Sequence, residues 1–126
     1  MFLKRLEAVR YGEMVGAVLG DLRPGLNLCH GPNEAGKSTF TSLIRHVLYG
    51  FPRRKGAERL YLPPAGEHRV GRLVFSTDDG DVIFERTEGV RGGEVTTSSA
   101  GGKQVGSDTL ETITAGVGSG VYRTVF

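Results

Sequence analysis

Nine consecutive residues carry the types and the spacing of a loop that binds phosphate groups. Glycine stands at the first and sixth positions and is followed by lysine and serine, in the order G-x-x-x-x-G-K-S. Successive backbone N–H groups must turn inward around the phosphates, and a side chain on the inner surface would obstruct the approach. The pattern therefore indicates a nucleoside triphosphate as ligand. The candidate nucleotide-binding residues are Gly31, Pro32, Asn33, Glu34, Ala35, Gly36, Lys37, Ser38 and Thr39.

Each chemical role in this loop has a candidate residue. Gly31 and Gly36 supply backbone freedom, while Lys37, at the start of the following helix, can reach the β- and γ-phosphates. Lys37 is therefore the candidate catalytic residue, and the Ser38 hydroxyl is the candidate Mg²⁺ ligand. The helix N-terminus adds favourable partial charge for an anion. We expect the Glu34 carboxylate to point outward, because it would repel a polyphosphate.

The loop lies between two apolar segments that predict a strand and a helix. Leu26, Leu28 and Cys29 form a short apolar run, which predicts a strand over residues 25–29 and a buried thiol. After the loop, apolar residues recur at the spacing of a core-facing helix, which Gly50 and Pro52 end. The members of this stripe are Phe40, Leu43, Ile44, Val47 and Leu48.

Outside this unit the sequence predicts mainly short strands. The predicted strands span residues 2–10, 16–22, 25–29, 70–76, 81–86 and 93–98. An Asp-Gly turn makes 70–76 and 81–86 an antiparallel hairpin, so that 70–98 is a β-hairpin region. Residues 51–69 are rich in Pro, Gly and Arg and predict a mobile loop, and Ser107 begins a short helix that Gly116 ends. Because β-ribbon material both precedes the phosphate loop and follows its helix, the order favours an ATPase head with a β-rich subdomain.

Composition bounds the class of protein. A chain of 126 residues with 38% hydrophobic content is long enough for one globular unit with a core. A formal charge of +2 and a pI near 8.9 are too mildly basic to establish nucleic-acid binding from bulk charge. A lone cysteine, no long apolar run and no signal peptide lead us to expect a cytoplasmic protein without a membrane partner. The three histidines lack companions at ligand spacing and predict no metal cluster.

Four stretches together resemble the N-terminal part of ABC-type ATPase heads of the SMC, RecF, RecN and SbcC group, above all the YhaN-like bacterial ATPases. They are the phosphate loop 31–39, Leu48–Pro52 at the end of its helix, Tyr61-x-Pro63 before the hairpin, and the closing residues 122–126. The resemblance covers nearly all of the chain. It implies an α/β fold, the N-terminal lobe of a P-loop NTPase head with an antiparallel β subdomain around the strand, loop and helix. Residues 1–126 would then be a single partial head domain.

In proteins of this kind a long coiled coil and a C-terminal segment with the remaining catalytic motifs follow the first segment. The resemblance implies ATP and Mg²⁺ as ligands and a head-to-head homodimer around two ATP molecules in the full-length protein. It also implies ATP hydrolysis in that dimer, coupled to DNA repair or chromosome maintenance, with DNA as a possible partner. It places Arg10, and Tyr11 beside it, near adenine or phosphate.

Two catalytic parts of such a site are missing from this sequence. An apolar strand ending in Asp-Glu would hold Mg²⁺ and orient water, and a signature motif from a second head would contact the γ-phosphate. Val82–Glu85 is apolar then acidic but lies in a predicted hairpin arm, and Ser99–Gln104 mimics a signature motif without a helical stripe after it. We therefore expect this chain alone to be inactive in hydrolysis.

Three other functions stay open. A small P-loop kinase or transferase would need a downstream acidic strand, which the sequence lacks. A non-catalytic, nucleotide-dependent DNA-binding module would use the basic run Arg53-Arg54-Lys55 with Arg59, although such runs are also typical of solvated loops. An ABC transporter nucleotide-binding subunit is suggested by Tyr11, 26 residues before Lys37, which is close to the offset of the adenine-stacking aromatic in that family. The residue types of the phosphate loop argue against a transporter.

Overall fold

The protein is described here by a computed structural model, which covers residues 1–31, 36–54, 61–64 and 66–99. Across these residues the chain forms five strands and one α-helix. In chain order they are β1 (Phe2–Tyr11), β2 (Met14–Leu19), α1 (Lys37–Tyr49), β3 (Val70–Thr77), β4 (Gly80–Thr87) and β5 (Glu94–Ser99), with a short 3₁₀ turn at Val90–Gly92 between the last two strands.

The five strands form one sheet in the order β2-β1-β3-β4-β5, and every neighbouring pair is antiparallel. β1 and β3 are adjacent in the sheet, with Leu6 opposite Leu73, although the phosphate loop and α1 lie between them in the sequence. The β-rich segments on both sides of the loop therefore belong to one sheet. β3 and β4 pair as a hairpin with Thr77 opposite Gly80, where the Asp-Gly signal predicts one.

One face of the sheet packs against α1 and forms the core. Leu43 and Val47 are fully buried on the helix face that meets β3. Gly71 makes this contact possible, because a Cβ atom there would lie 2.5 Å from Leu43 and 2.6 Å from Val47. The predicted helix and its apolar stripe are confirmed. The buried hydrophobic cluster comprises Leu6, Ala8, Tyr11, Leu43, Val47, Leu48, Phe51, Leu73, Phe75, Val82 and Phe84.

The other face of the sheet carries a row of charges across three strands. On this face Arg72 of β3 donates to Glu7 of β1 at 2.8 Å and to Glu85 of β4 at 2.9 Å. The hydrogen bond to Glu85 is the main reason that the pKa of Arg72 lies above its ordinary value. Glu85 is thus a partner in a cross-strand ion pair within a hairpin arm, as expected from its predicted place in the sequence.

The predicted strand at 25–29 is absent, and its residues are exposed. Leu26 and Leu28 are 98% and 83% exposed, and the thiol of Cys29, predicted to be buried, is exposed as well. A strand needs a neighbour for its N–H and C=O groups, and no described strand pairs with this segment. Instead the Asn27 amide bonds locally, accepting from the Arg23 N–H at 3.0 Å and donating to the Arg23 carbonyl at 2.7 Å. These local side-chain hydrogen bonds take the place of the hydrogen bonds that a neighbouring strand would make.

The remaining elements lie close to their predicted positions or outside the described residues. β2 spans Met14–Leu19 where residues 16–22 were expected, and β5 spans Glu94–Ser99 where 93–98 were expected. Between Phe51 and Arg69 the described residues form neither helix nor strand. The predicted helix from Ser107 lies outside the described residues, as do Glu34 and most of the signature-like stretch.

Candidate functional site

The phosphate loop leads directly into α1 through a glycine in a left-handed conformation. Gly36 has φ 84° and ψ 16° and precedes Lys37, the first residue of the helix. Residues other than glycine rarely adopt such a φ, so the second fixed glycine of the pattern is required by the backbone itself. Pro32, Asn33, Glu34 and Ala35 lie outside the described residues.

The structure brings the two ends of the loop together through Lys37. Its ammonium nitrogen Nζ donates to the carbonyl oxygen of Gly31 at 2.6 Å, six positions back along the chain. Lys37 and Ser38 are both exposed on the first turn of α1, and Thr39 is half-buried. The lysine therefore lies across the mouth of the loop, where its cation can exchange a weak carbonyl acceptor for a phosphate oxygen.

The N-terminus of α1 presents unused positive charge to the loop. The first helical bond runs from the Phe40 N–H to the Gly36 carbonyl at 2.9 Å, so the amides of Lys37, Ser38 and Thr39 have no partner within the helix. No side chain caps Gly36, and the first turn contains no acidic residue. An anion at this end would meet free donors and a favourable helix dipole.

Ser38 has the position but not a complete metal site. The hydroxyl directly follows Lys37 on the exposed first turn, and within the described ranges no three His, Cys, Asp or Glu side chains are grouped to hold a metal. Mg²⁺ commonly binds through one or two protein oxygens together with water and substrate phosphates. The donor set fits Mg²⁺ that arrives with a phosphate ligand.

A cavity of about 300 Å³ lies beside Lys37, between the helix and the sheet. Its walls are mostly apolar side chains, and its polar groups come from the residues before and after the phosphate loop. The lining residues are Leu6, Leu19, Cys29, His30, Lys37, Phe40, Thr41 and Ile44. The exposed Cys29 and His30 thus border the same space as the lysine.

The contacts of Arg10 are not with the described residues of the phosphate loop. Its Nε atom lies 3.4 Å from a carboxylate oxygen of Glu67 and donates to the carbonyl oxygen of His68 at 3.3 Å. These contacts tie the end of β1 to the segment before β3. A role for Arg10 near the nucleotide therefore stays a prediction.

Tyr11 belongs to the core, so its expected role near adenine is wrong for this structure. The ring is completely buried, its hydroxyl is hydrogen-bonded to Nδ1 of His46, and it stacks on Tyr61 with centroids 4.9 Å apart. Burial, and then the neighbouring Tyr61, raise the pKa of the phenol well above its ordinary value. A ring enclosed in this way has no free face for a base, which removes the feature that suggested a transporter subunit.

Several residues that shape the site have no motif in the sequence. Met14 at the start of β2 packs against the phosphate loop, because a Cβ atom on Gly36 would lie 2.3 Å from its terminal methyl carbon. At the other end of α1, Arg86 donates to the carbonyls of Val47 at 2.7 Å and Leu48 at 3.2 Å. These contacts join distant segments, so no local spacing could have predicted them.

The basic run after α1 is only partly free in the structure. Arg54 donates to Glu88 at 2.8 Å and to the Glu67 carbonyl at 2.8 Å, whereas Arg53 is exposed. Lys55 and Arg59 lie outside the described residues. Among the described residues there is also no helix long and apolar enough to cross a membrane.

Comparisons with known proteins identify a family and a fold. A family model described as an AAA domain matches residues 1–126. A structure solved for a study of "ATP-driven dimerization and DNA stimulated activation of SMC ATPases" has a TM-score of 0.60 at 18% identity, over 91% of this chain and 78% of that one. The SMC head domain from Thermotoga maritima gives 0.56 at 28% identity, over 90% of this chain but only 41% of that one. No curated protein matches the sequence.

Proposed function

This chain belongs to the AAA domain family and has the fold of the N-terminal lobe of an SMC-type ATPase head, and we propose that residues 31–39 bind ATP with Mg²⁺. The fold predicted from the resemblance is confirmed, as is a nucleotide-binding ATPase head as the general class. We propose which residues hold the nucleotide and which process its hydrolysis drives.

The proposal that residues 31–39 bind the nucleotide rests on one observation. Lys37 closes the loop by its bond to the Gly31 carbonyl at 2.6 Å, at a helix N-terminus without a side-chain cap or an acidic first turn. In this arrangement the ammonium and the free amides of the first turn face the same place. A triphosphate is the ligand that uses both, because it offers several anionic oxygens at once.

Each residue of the loop then has a role toward the ligand. Gly31 and residues 33–36 offer backbone N–H groups to the phosphates, whereas Pro32 has none to offer. Lys37 contacts the β- and γ-phosphate oxygens, and the hydroxyl of Ser38 holds Mg²⁺. Arg10 is paired with Glu67 in the structure, and its contact with the nucleotide is part of the proposal. Bound Mg²⁺ supplies charge neutralisation between the phosphates.

Hydrolysis is proposed for the full-length protein, as a head-to-head homodimer around two ATP molecules. This chain spans 41% of the Thermotoga maritima head, and its sequence lacks the acidic strand and the signature motif that complete such a site. The neighbour with the TM-score of 0.60 was studied for ATP-driven dimerisation and DNA-stimulated activation of SMC ATPases. By analogy we propose a cytoplasmic ATPase whose cycle is coupled to DNA repair or chromosome maintenance, with DNA as partner.

Nucleotide binding by the Lys37→Ala variant tests the site. We expect the affinity for Mg²⁺-ATP, measured by titration calorimetry on this chain, to fall by roughly a hundredfold, because charge-assisted hydrogen bonds to phosphate are lost. Lys4→Ala is the matched control, since Lys4 is also exposed and its ammonium binds Asp81 on the sheet. If the Lys37→Ala variant and the unchanged chain bind Mg²⁺-ATP with equal affinity, the proposed site is refuted. If this chain alone hydrolyses ATP rapidly, the claim that it lacks catalytic parts is refuted.

The exposed Arg53 and its basic neighbours support a second candidate, a DNA-binding module in which the nucleotide is not hydrolysed. A salt-dependent shift of DNA that neither ATP nor Lys37→Ala changes would favour this module. A DNA affinity that rises with Mg²⁺-ATP and loses that rise in Lys37→Ala would favour the coupled ATPase.

A further inference from the structure

A second cleft, larger than the cavity beside Lys37, lies at the opposite end of α1. It has a volume of about 810 Å³, within the range of roughly 300–1,000 Å³ typical of ligand sites. One wall is the last residue of α1 and the segment after it, residues 49–54, and the other is the connection between β4 and β5, residues 88–92. Because α1 has 13 residues and rises about 1.5 Å per residue, the cleft lies about 20 Å from Lys37.

The two walls are fixed to each other by close backbone contacts. The Phe51 N–H donates to the Gly92 carbonyl at 2.9 Å, and a Cβ atom on Gly92 would lie 3.1 Å from the Cα of Gly50. Arg86 strengthens the junction by donating to the Gly93 carbonyl at 2.7 Å in addition to the end of α1. The shape of the cleft is therefore present before any ligand arrives, which lowers the ordering cost of binding.

The charge of the cleft is positive, with four arginines and one carboxylate among its lining residues. Glu88 is occupied by two of them, since it accepts from Arg54 at 2.8 Å and from the buried Arg69 at 3.1 Å. Arg53 and Arg91, one on each wall, are exposed, and neither has an ion pair or hydrogen bond of its side chain to another described residue. The cleft therefore presents two available guanidinium groups above a floor on which one carboxylate is shared by two further arginines.

Arg91 also occupies a backbone conformation that favours glycine. Its φ of 57° and ψ of 37° lie in the left-handed region, although glycines follow it at the next two positions. Residues other than glycine are uncommon in this region. The neighbouring Val90 is 88% exposed, so the tip of this connection offers an apolar contact beside a cation.

We propose that this cleft binds the phosphate backbone of DNA, with Arg53 and Arg91 contacting phosphates from opposite walls. The inference rests on the DNA partner in the proposed function and names the surface that meets it. Exposed guanidinium groups suit phosphate oxygens because they donate two parallel hydrogen bonds. The open cleft and the exposed Val90 fit a chain of phosphates with sugars between them better than a small anion, which needs donors converging on one point. Arg91 was not among the basic residues that the sequence singles out.

Salt-dependent DNA binding by paired arginine variants tests the cleft. We expect the complete 126-residue chain to bind a labelled DNA duplex in fluorescence anisotropy, and Arg53→Gln and Arg91→Gln each to weaken the affinity about tenfold. Each substitution should also reduce the slope of log affinity against log salt by about one, and the double variant by about two. Arg23→Gln, another exposed arginine but outside the cleft, should leave both quantities unchanged.

The alternatives give different results in the same experiment. If the chain binds DNA but the double variant keeps the full salt slope, the cleft is overturned while the DNA partner stands. If polyglutamate of matched charge competes as well as DNA, the surface serves an acidic protein and the proposal fails. Absence of DNA binding by the unchanged chain would also overturn it. The affinity for Mg²⁺-ATP, measured in parallel, should be the same in all of these proteins. A variant that has lost this affinity is misfolded, and an unchanged chain without it shows that the nucleotide site has failed.

Discussion

The two ends of α1 differ in how they are held. At the N-terminal end Gly36 has no side-chain cap, and the exposed Lys37 makes one hydrogen bond, to a backbone carbonyl of the loop. At the C-terminal end Arg86 donates to carbonyls of Val47 and Leu48 and to the β4–β5 connection, while the Phe51 N–H is bonded to Gly92. One end keeps polar groups unpaired, as the proposed nucleotide site requires, and the other has its polar groups satisfied by the protein.

This difference explains how α1 can be held firmly at one end and still bind the proposed nucleotide at the other. Donors that are already paired inside the protein cannot also bind phosphate, so the ligand end must stay unpaired. The helix then needs to be fixed elsewhere, and the junction with β4 and β5 supplies that fixing. The loop before α1 is positioned in this way by a junction that takes no part in nucleotide binding. The comparison predicts that changes at the C-terminal end affect stability, whereas changes at Lys37 affect binding.

The largest loss of stability is expected from Arg86→Met. Arg86 is 8% exposed, and its removal leaves buried carbonyls at the end of α1 without donors, so we expect the free energy of unfolding to fall by about 3–5 kcal/mol. Urea denaturation followed by circular dichroism would measure it. Arg72→Met is the control, because Arg72 makes its ion pairs on the half-exposed sheet face and should cost about 1 kcal/mol or less. Equal losses in the two variants would remove the distinction between the two ends.

Acid should weaken the same junction through Glu88. Hydrogen bonds from Arg54 and Arg69 outweigh the effect of burial and hold the pKa of this carboxyl at about 2, below its value of 4.5 in the unfolded chain. The group therefore stabilises the fold fully above about pH 4.5, and we expect about 3 kcal/mol to be lost as the pH falls toward 2. Unfolding free energies measured between pH 6 and 3 should show this decline. In Glu88→Gln the decline should be smaller, and parallel pH profiles would contradict the assignment.

A medium effect is expected where α1 crosses β3. Gly71→Ala places a methyl group 2.5–2.6 Å from Leu43 and Val47, so the helix must shift, and we expect a loss of about 1–3 kcal/mol. Gly20→Ala is the control, since a Cβ there meets its nearest atom, on Arg5, at 3.6 Å. Thermal melting of both variants would measure the contrast, and a stable Gly71→Ala variant would show that the contact is looser than described.

The smallest effect on stability is expected at the ligand end. Lys37→Met removes one exposed hydrogen bond, so the unfolding free energy without nucleotide should change by no more than about 0.5 kcal/mol. Mg²⁺-ATP at a concentration that saturates the unchanged chain should raise its melting temperature much more than that of the variant, because the added stability grows with the ratio of ligand concentration to Kd. A large loss of stability without nucleotide would show that Lys37 holds the fold and would erase the comparison.

Features with a local cause could be predicted from the sequence. The apolar stripe of α1 and its end at Gly50 follow from helical spacing, and the β3–β4 hairpin follows from the Asp-Gly turn between two strand-like runs. The predictions that failed concern features that depend on distant parts of the chain. Leu26 and Leu28 have the pattern of a strand, but a strand forms only where a neighbour accepts its hydrogen bonds. Tyr11 was placed near a nucleotide by the family resemblance, and its offset from Lys37 suggested a transporter, but the fold encloses it beside His46.

The order of residues by itself was enough to predict the phosphate loop, because Gly31, Gly36 and Lys37 stand within one short stretch whose pattern is local. Only the tertiary structure decided what holds that loop in place and where a second charged surface lies. Arg86 meets Val47 from 39 positions away, and Arg53 and Arg91 line one cleft because α1 ends beside the β4–β5 connection. Such contacts depend on how strands and helix pack, and packing brings together residues whose separation in the sequence carries no signal of their meeting.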